Sequence, residues 1–215
     1  MRRALHAIVF DMDGTLTLPG AIDFARMRSR IGAPPGTDIL DHVAAAPTAV
    51  ERAARAAAVA DEEALGLEHV ALMPDVNAVV AFTASRPHLR VGLITRNNAA
   101  AAEHTMTLLR TAGARFDAAL SREWQGGPPK PHPAGLLWMA ASWGVDVENT
   151  VMIGDSLDDV ACGRAAGATS VLIGALHEES AKKIAHYHVQ TLTELVTLLD
   201  SEFDTLAPPS MLKYG

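Results

Sequence analysis

The sequence predicts an α/β fold: a parallel sheet with helices on both faces and a small all-helical insert after the first strand. Three observations predict it. Short apolar runs such as "LRVGLIT" and "TSVLIG" alternate with longer stretches of helical spacing. Between residues 17 and 72 the alternation stops and only helical spacing appears. Three of the apolar runs end in polar residues, at Asp11, Thr95 and Asp155. In open parallel sheets, ligands bind outside such strand ends.

Each element has its own signal. Residues 5–10 form the first strand, apolar enough to be buried on both faces. The opening "MRRALHAIVF" begins like a signal peptide, but its apolar stretch runs straight into Asp11 and reads as that strand. "IDFARMRSRIG" is a helix stopping at Gly32, and Thr37 or Asp38 is the N-cap of the next. "TAVERAARAAAVADEEALGLEHV" is a third helix with charge on one face. "PDVNAVVAFTASR" is a helix with Pro74 near its start, followed by the strand "LRVGLIT". The helix "NAAAAEHTMTLLRTAG" ends at Gly113, and "FDAALS" is a short strand. "HPAGLLWMAASWG" is a helix ending at Gly144, and "NTVMIGD" a strand. "LDDVACGRAAG" is a helix, "TSVLIG" a strand, and "LTELVTLLDSEF" the closing helix. The expected division is a core of residues 1–16 and 73–205, an insert of 17–72, and a loosely held tail of 206–215.

Composition narrows the function classes. The 215 residues suit one large domain or a core with a small lobe. Net charge is −7, which argues against nucleic acid or an anionic membrane as the main partner. The single cysteine, Cys162, allows no internal disulfide and fits a reducing compartment, so a cytoplasmic location is expected. No apolar run approaches transmembrane length.

The strand ends carry the chemistry. "FDMDGTL" closes the first strand on Asp11 and Asp13, which point the same way along an extended segment. Gly14 then permits a tight turn close to a ligand. In "GDSLDD", Asp155 and Asp159 are spaced for one face of a helix start. So many carboxylates need a positive partner, and hard oxygen donors suit Mg2+. The alternative makes Asp155 a helix cap and Asp159 a solvated residue. "PPKPHP" holds Lys130 between prolines, where it either offsets the carboxylates or stands in an exposed loop. Thr95 either serves the site or caps the helix after it.

Taken together, "DMDGT", "LIT", the lysine of "KPHP" and "GDSLDD" resemble the four motifs of the haloacid dehalogenase superfamily of hydrolases. The resemblance is to the phosphoglycolate-phosphatase-like and beta-phosphoglucomutase-like branch, and extends to about residue 199. It implies a Rossmann-like core with the helical insert as a cap. It implies that Asp11 is the nucleophile, forming a phosphoaspartyl intermediate, and that Asp13 is the general acid and then the base. Thr95 would bind phosphoryl oxygens and Lys130 would balance charge. Asp11, Asp155, Asp159 and the backbone carbonyl of Asp13 would hold Mg2+. Gly14, Arg96 and Asn97 are the expected substrate-binding positions. Arg96 stands where many relatives carry Asn, and reads either as a cation beside the phosphate or as a solvent-facing side chain. Asp13 argues for phosphoryl transfer, because halide leaves without a proton.

The implied activity is an Mg2+-dependent phosphatase acting on a small phosphomonoester, as a monomer or homodimer. A phosphomutase of the beta-phosphoglucomutase type is the alternative, and a non-catalytic scaffold a third reading. The insert is short for the branch, so substrate specificity does not carry over. Arg26, Arg28, Arg30 and His42 are substrate-facing candidates within it, each with a solvated helix face as the rival reading. Trp124 either stacks on a substrate or packs locally. Trp138 and Trp143 read as core, and Cys162 as a small buried apolar residue. His177, His186 and His188 cluster loosely, without the carboxylate or cysteine a metal site would add.

Overall fold

The computed structural model describes residues 2–174 and 179–205. The chain folds as two compact units, one of Pro19–Ala71 and one of the remainder. The expected tail of 206–215 and His177 lie outside the described residues.

The larger unit is built on two sheets. β1 (Arg3–Leu5) is followed after His6 by β2 (Ala7–Phe10). The sequence reading joins these as one strand over residues 5–10. The structure divides them because Leu5 pairs with a different strand, while the His6 amide donates to the Asn149 carbonyl at 2.9 Å. Ile8, Val9 and Phe10 are fully buried. Each such side chain contributes roughly 1.5–3 kcal/mol by leaving water.

The helices and strands then follow in order. α1 (Phe24–Ile31), α2 (Ile39–Ala44) and α3 (Ala49–Leu67) belong to the smaller unit. Asp23, Asp38 and Thr48 cap their N-termini through side-chain oxygens, and Gly32 ends α1 at φ 68°. Met27, Ile31 and Val59 form this unit's core. Back in the larger unit come α4 (Val76–Ala84), β3 (Arg90–Ile94), α5 (Ala99–Thr111), β4 (Ala118–Leu120) and α6 (Ala134–Ser142). After them come β5 (Thr150–Gly154), α7 (Leu157–Ala166), β6 (Thr169–Ile173) and α8 (Glu179–Ile184). β7 (Tyr187–Val189), α9 (Leu192–Glu202) and β8 (Phe203–Thr205) close the described chain.

The main sheet has six strands in the order β4-β3-β2-β5-β6-β7, and every pair is parallel. The fold is therefore α/β, with a Rossmann-like parallel sheet and flanking helices. β1 and β8 form a separate parallel pair. That pair, β7 and α8 are absent from the sequence reading. α6 and α7 pack on the sheet through Leu136, Met139 and Cys162 against Val9, Ile94 and Met152. Gly92 makes that approach possible: a Cβ there would lie 2.7 Å from Met139 Sδ and 2.8 Å from Trp143. Among the described residues no helix is long and apolar enough to cross a membrane.

Candidate active site

The strand order fixes where the site lies. From β2 the chain builds outward to β4, then restarts at β5 on the other side of β2. A crevice opens where the direction reverses, outside the carboxyl ends. Asp11 follows β2 and Asp155 follows β5. Phe10 is level with both Leu93 and Ile153, so these ends share one edge. Thr95, one residue past β3, is anchored there by its amide donating to Leu120 O at 2.9 Å.

Residues 12–17 fold into a tight turn. The Met12 carbonyl accepts the amides of Leu16 and Thr17 at 2.9 and 3.0 Å. Gly14 sits in this turn at φ 76°, in the left-handed region that favours glycine. A Cβ on Gly14 would lie 2.1 Å from Asp155 Oδ2. The expected substrate-binding glycine thus stands against a carboxylate of the cluster.

Lys130 is 4% exposed, so the reading of an exposed loop lysine is set aside. Its Nζ donates to Asp11 Oδ1 at 2.5 Å and to Asp159 Oδ1 at 2.6 Å. Burial works against its charge, yet Asp11 and Asp159 outweigh burial and push the ammonium pKa up.

The helix cap after β5 is Ser156, not Asp155. Ser156 Oγ accepts the Asp159 amide at 3.3 Å, while Asp159 Oδ2 accepts the Ser156 amide at 3.1 Å. Ser156 Oγ–H also reaches Asp159 Oδ2, at 2.5 Å. This is a capping box, signalled in sequence by Ser and an acid three residues on. Asp159 is not the solvated residue of the alternative reading, since it is buried. One of its oxygens faces Lys130 and the other faces Ser156.

Asp13 has a partner on each oxygen. Asn97 Nδ2 donates to Oδ2 at 3.2 Å, and Thr17 Oγ1 lies 3.4 Å from Oδ1. Thr95 Oγ1 accepts the Asn97 amide at 2.9 Å. The expected substrate residue Asn97 is therefore turned onto Asp13. Arg96 forms an ion pair with Asp158, Nη1 to Oδ2 at 2.6 Å. That partner belongs to neither reading of Arg96 from sequence.

The other candidates sit elsewhere. Arg26 and Arg30 pair with Glu62, and Arg30 also with Asp61. Arg28 donates to the carbonyls of Pro34 and Thr37, and His42 Nε2 lies 3.1 Å from Ile31 O. A crevice beside the site is lined by Thr95, Arg122, Trp124 and Lys130 among others. Trp124 packs on Trp138 with ring centroids 5.8 Å apart. Trp138 itself is an exposed side chain, not the core residue the sequence suggests. Arg122 escaped the sequence reading, and its amide donates to Asn97 O at 3.0 Å. His186 Nδ1 accepts the Ser170 amide, while His188 Nε2 lies 3.1 Å from Gly174 O.

Electrostatics bear on a metal. Burial first, then Asp159, push the Asp11 carboxyl well above the usual range, against the pull of Lys130. Burial raises Asp13 too, opposed by its Asn97 hydrogen bond. Burial and then Asp159 push Asp155 up to about 6. Four carboxylates face one ammonium. Asp11, Asp155 and Asp159 bring one oxygen each within 4.8 Å of one another. This donor set, all hard oxygen and net acidic, fits a divalent cation such as Mg2+.

Comparison with known proteins agrees with the geometry. A family model described as haloacid dehalogenase-like hydrolase matches residues 5–167. A haloacid dehalogenase-like hydrolase domain-containing protein of Arabidopsis thaliana is 33% identical over 219 residues, covering 93% of this chain and 86% of that one. An uncharacterized hydrolase of Saccharomyces cerevisiae is 30% identical over 204 residues, covering 92% of each. Among solved structures, a predicted phosphoglycolate phosphatase from Haemophilus somnus superposes with a TM-score of 0.70 at 16% identity, covering 90% of this chain and 97% of that one.

Proposed function

The chain belongs to the haloacid dehalogenase-like hydrolases, and from that premise we propose that it is an Mg2+-dependent phosphatase of small phosphomonoesters. One observation carries the reading. Asp11, at the end of a buried strand, contacts a buried lysine, while Asp13 two residues on is held separately by Asn97 and Thr17. That arrangement supplies a nucleophile and an independent acid and base.

Each residue has a part in the proposal. Asp11 attacks phosphorus as the ester bond to the leaving oxygen breaks, giving a phosphoaspartate. Covalent catalysis divides one displacement into two easier ones. Attack on an anion meets repulsion of about 4 kcal/mol at contact for unit charges at an effective dielectric near 20. Lys130 offsets part of it at Asp11 itself. The Thr95 hydroxyl accepts from the Asn97 amide, so its own hydrogen is free for a phosphoryl oxygen. Asp13 gives its proton to the leaving alcohol, then takes one from the water that opens the phosphoaspartate. Asp11, Asp155, Asp159 and the Asp13 carbonyl would hold Mg2+, which when bound supplies positive charge to the phosphoryl oxygens. The division into a core of residues 1–16 and 73–205 and a cap of 17–72, and a cytoplasmic setting, belong to the same proposal.

The test is turnover of p-nitrophenyl phosphate with Mg2+ and with chelator, beside Asp11→Asn. Release of phosphate that needs Mg2+ and Asp11 is expected. Turnover that survives Asp11→Asn overturns the assignment. Isomerised sugar phosphate without net phosphate release points instead to the mutase.

A further inference from the structure

We infer that Asn97 is a positioning residue for Asp13: it fixes Oδ2 as a permanent acceptor and leaves Oδ1 as the oxygen through which the proton passes. This deepens the phosphatase reading and rests on it.

The orientation of the amide is settled by its neighbours. The Asn98 backbone N–H donates to Asn97 Oδ1 at 2.9 Å, so that end of the amide is the oxygen. The NH2 end then faces Asp13 Oδ2 at 3.2 Å. An NH2 group only donates. The carbonyl oxygen of a carboxylic acid accepts better than its hydroxyl oxygen, so the Asn97 donor favours the acid form of Asp13 with its proton on Oδ1. Two backbone contacts hold Asn97 itself. Its N–H donates to Thr95 Oγ1 at 2.9 Å, and its carbonyl accepts from Arg122 at 3.0 Å.

Oδ1 has a partner that tolerates both protonation states. Thr17 Oγ1 lies 3.4 Å from Asp13 Oδ1 and 3.2 Å from Met12 O. A hydroxyl carries one hydrogen and two lone pairs. With Asp13 protonated, the Thr17 hydrogen turns to Met12 O. With Asp13 ionised, it turns to Oδ1. The proton leaves Oδ1 for the departing oxygen as the ester bond to phosphorus breaks and the Asp11 bond forms. It is replaced from water in the second step. Nothing on the Asn97 side has to move.

The experiment measures kcat/KM with Mg2+ over substituted phenyl phosphates, from nitrophenyl to phenyl. Nitrophenolate departs without help; phenolate benefits from an acid. The wild type is expected to depend weakly on the leaving group. Asn97→Leu keeps the shape but loses the donor, and is expected to lose about 10-fold more on phenyl than on nitrophenyl phosphate, within the range of general acid catalysis. An equal loss along the series shows a merely structural role and overturns the inference, as does no loss. If Asn97→Leu does not fold by circular dichroism, Asn97→Ala carries the same expectation, because it too lacks the donor. A wild type inactive on the whole series, or one whose activity survives Asp11→Asn, overturns the phosphatase reading and this inference with it.

Discussion

Lys130 Nζ sits 2.5 Å from Asp11 Oδ1, across 119 residues of chain. The contact is buried, and the same ammonium also holds Asp159. Removing the cation leaves two carboxylates facing each other out of water. Breaking a buried pair from one side costs about 3–5 kcal/mol. Lys130→Met is therefore expected to lower the urea midpoint strongly. It is also expected to cut p-nitrophenyl phosphate turnover on the order of 10²-fold, as for loss of a preorganised donor. Equilibrium unfolding and steady-state kinetics on one preparation check both.

Gly14→Ala tests the fit of the turn against Asp155. The substitution meets φ 76° and a Cβ position 2.1 Å from Asp155 Oδ2. The backbone strain alone costs about 1–2 kcal/mol. Asp155 must move, so the variant is expected to lose most of the thermal stabilisation that Mg2+ gives the wild type. Differential scanning fluorimetry with increasing Mg2+ reads this directly.

The response to Mg2+ is expected to depend on pH. Asp155 is raised to about 6, chiefly by burial and then by Asp159. A carboxyl raised in the fold favours the protonated form. Its contribution to metal-free stability is present at low pH and is lost as pH rises through about 6. A bound cation needs the carboxylate instead. The rise in melting temperature on adding Mg2+ should be small at about pH 5 and large at about pH 7.5, and chelator should abolish it. A rise that does not change with pH would contradict this coupling.

His6 acts in the opposite sense, at the end of β2 away from Asp11. It is buried and its Nδ1 has no partner. Burial lowers its pKa; nearby Asp146 opposes the shift and His88 adds to it. The fold therefore favours neutral His6, while the unfolded chain takes a proton near the ordinary value of about 6.5. Its cost is absent above that pH and grows as pH falls below it. His6→Gln is expected to lose less stability than the wild type between about pH 7 and pH 5. Melting curves of the two proteins across that range give the difference.

Much of this was legible in sequence because it is local or strongly patterned. Buried apolar strands such as residues 150–154, and helices bounded by Gly32 or Gly113, announce themselves. β1, β7 and β8 do not, since three residues are too few to show a period. The acidic cluster was legible because Asp11 and Asp155 end strands and Asp159 follows Asp155 at helical spacing. The hold of Asn97 on Asp13 was not legible, since nothing in sequence says that a residue 84 positions away turns its amide. The Arg96 ion pair was hidden likewise, as its partner Asp158 lies 62 positions on. The Ser156 cap did have a local signal, overlooked beside the louder Asp155.

Ser156 and Asp159 have an evolutionary consequence. One carboxylate closes the first turn of α7 with one oxygen and steadies Lys130 with the other. Drift at position 156 is therefore not neutral, although that serine need never touch phosphorus. A replacement must both accept the Asp159 amide and donate to its carboxylate, which favours threonine and disfavours alanine. The cluster thus leans on a residue whose visible duty is only to begin a helix.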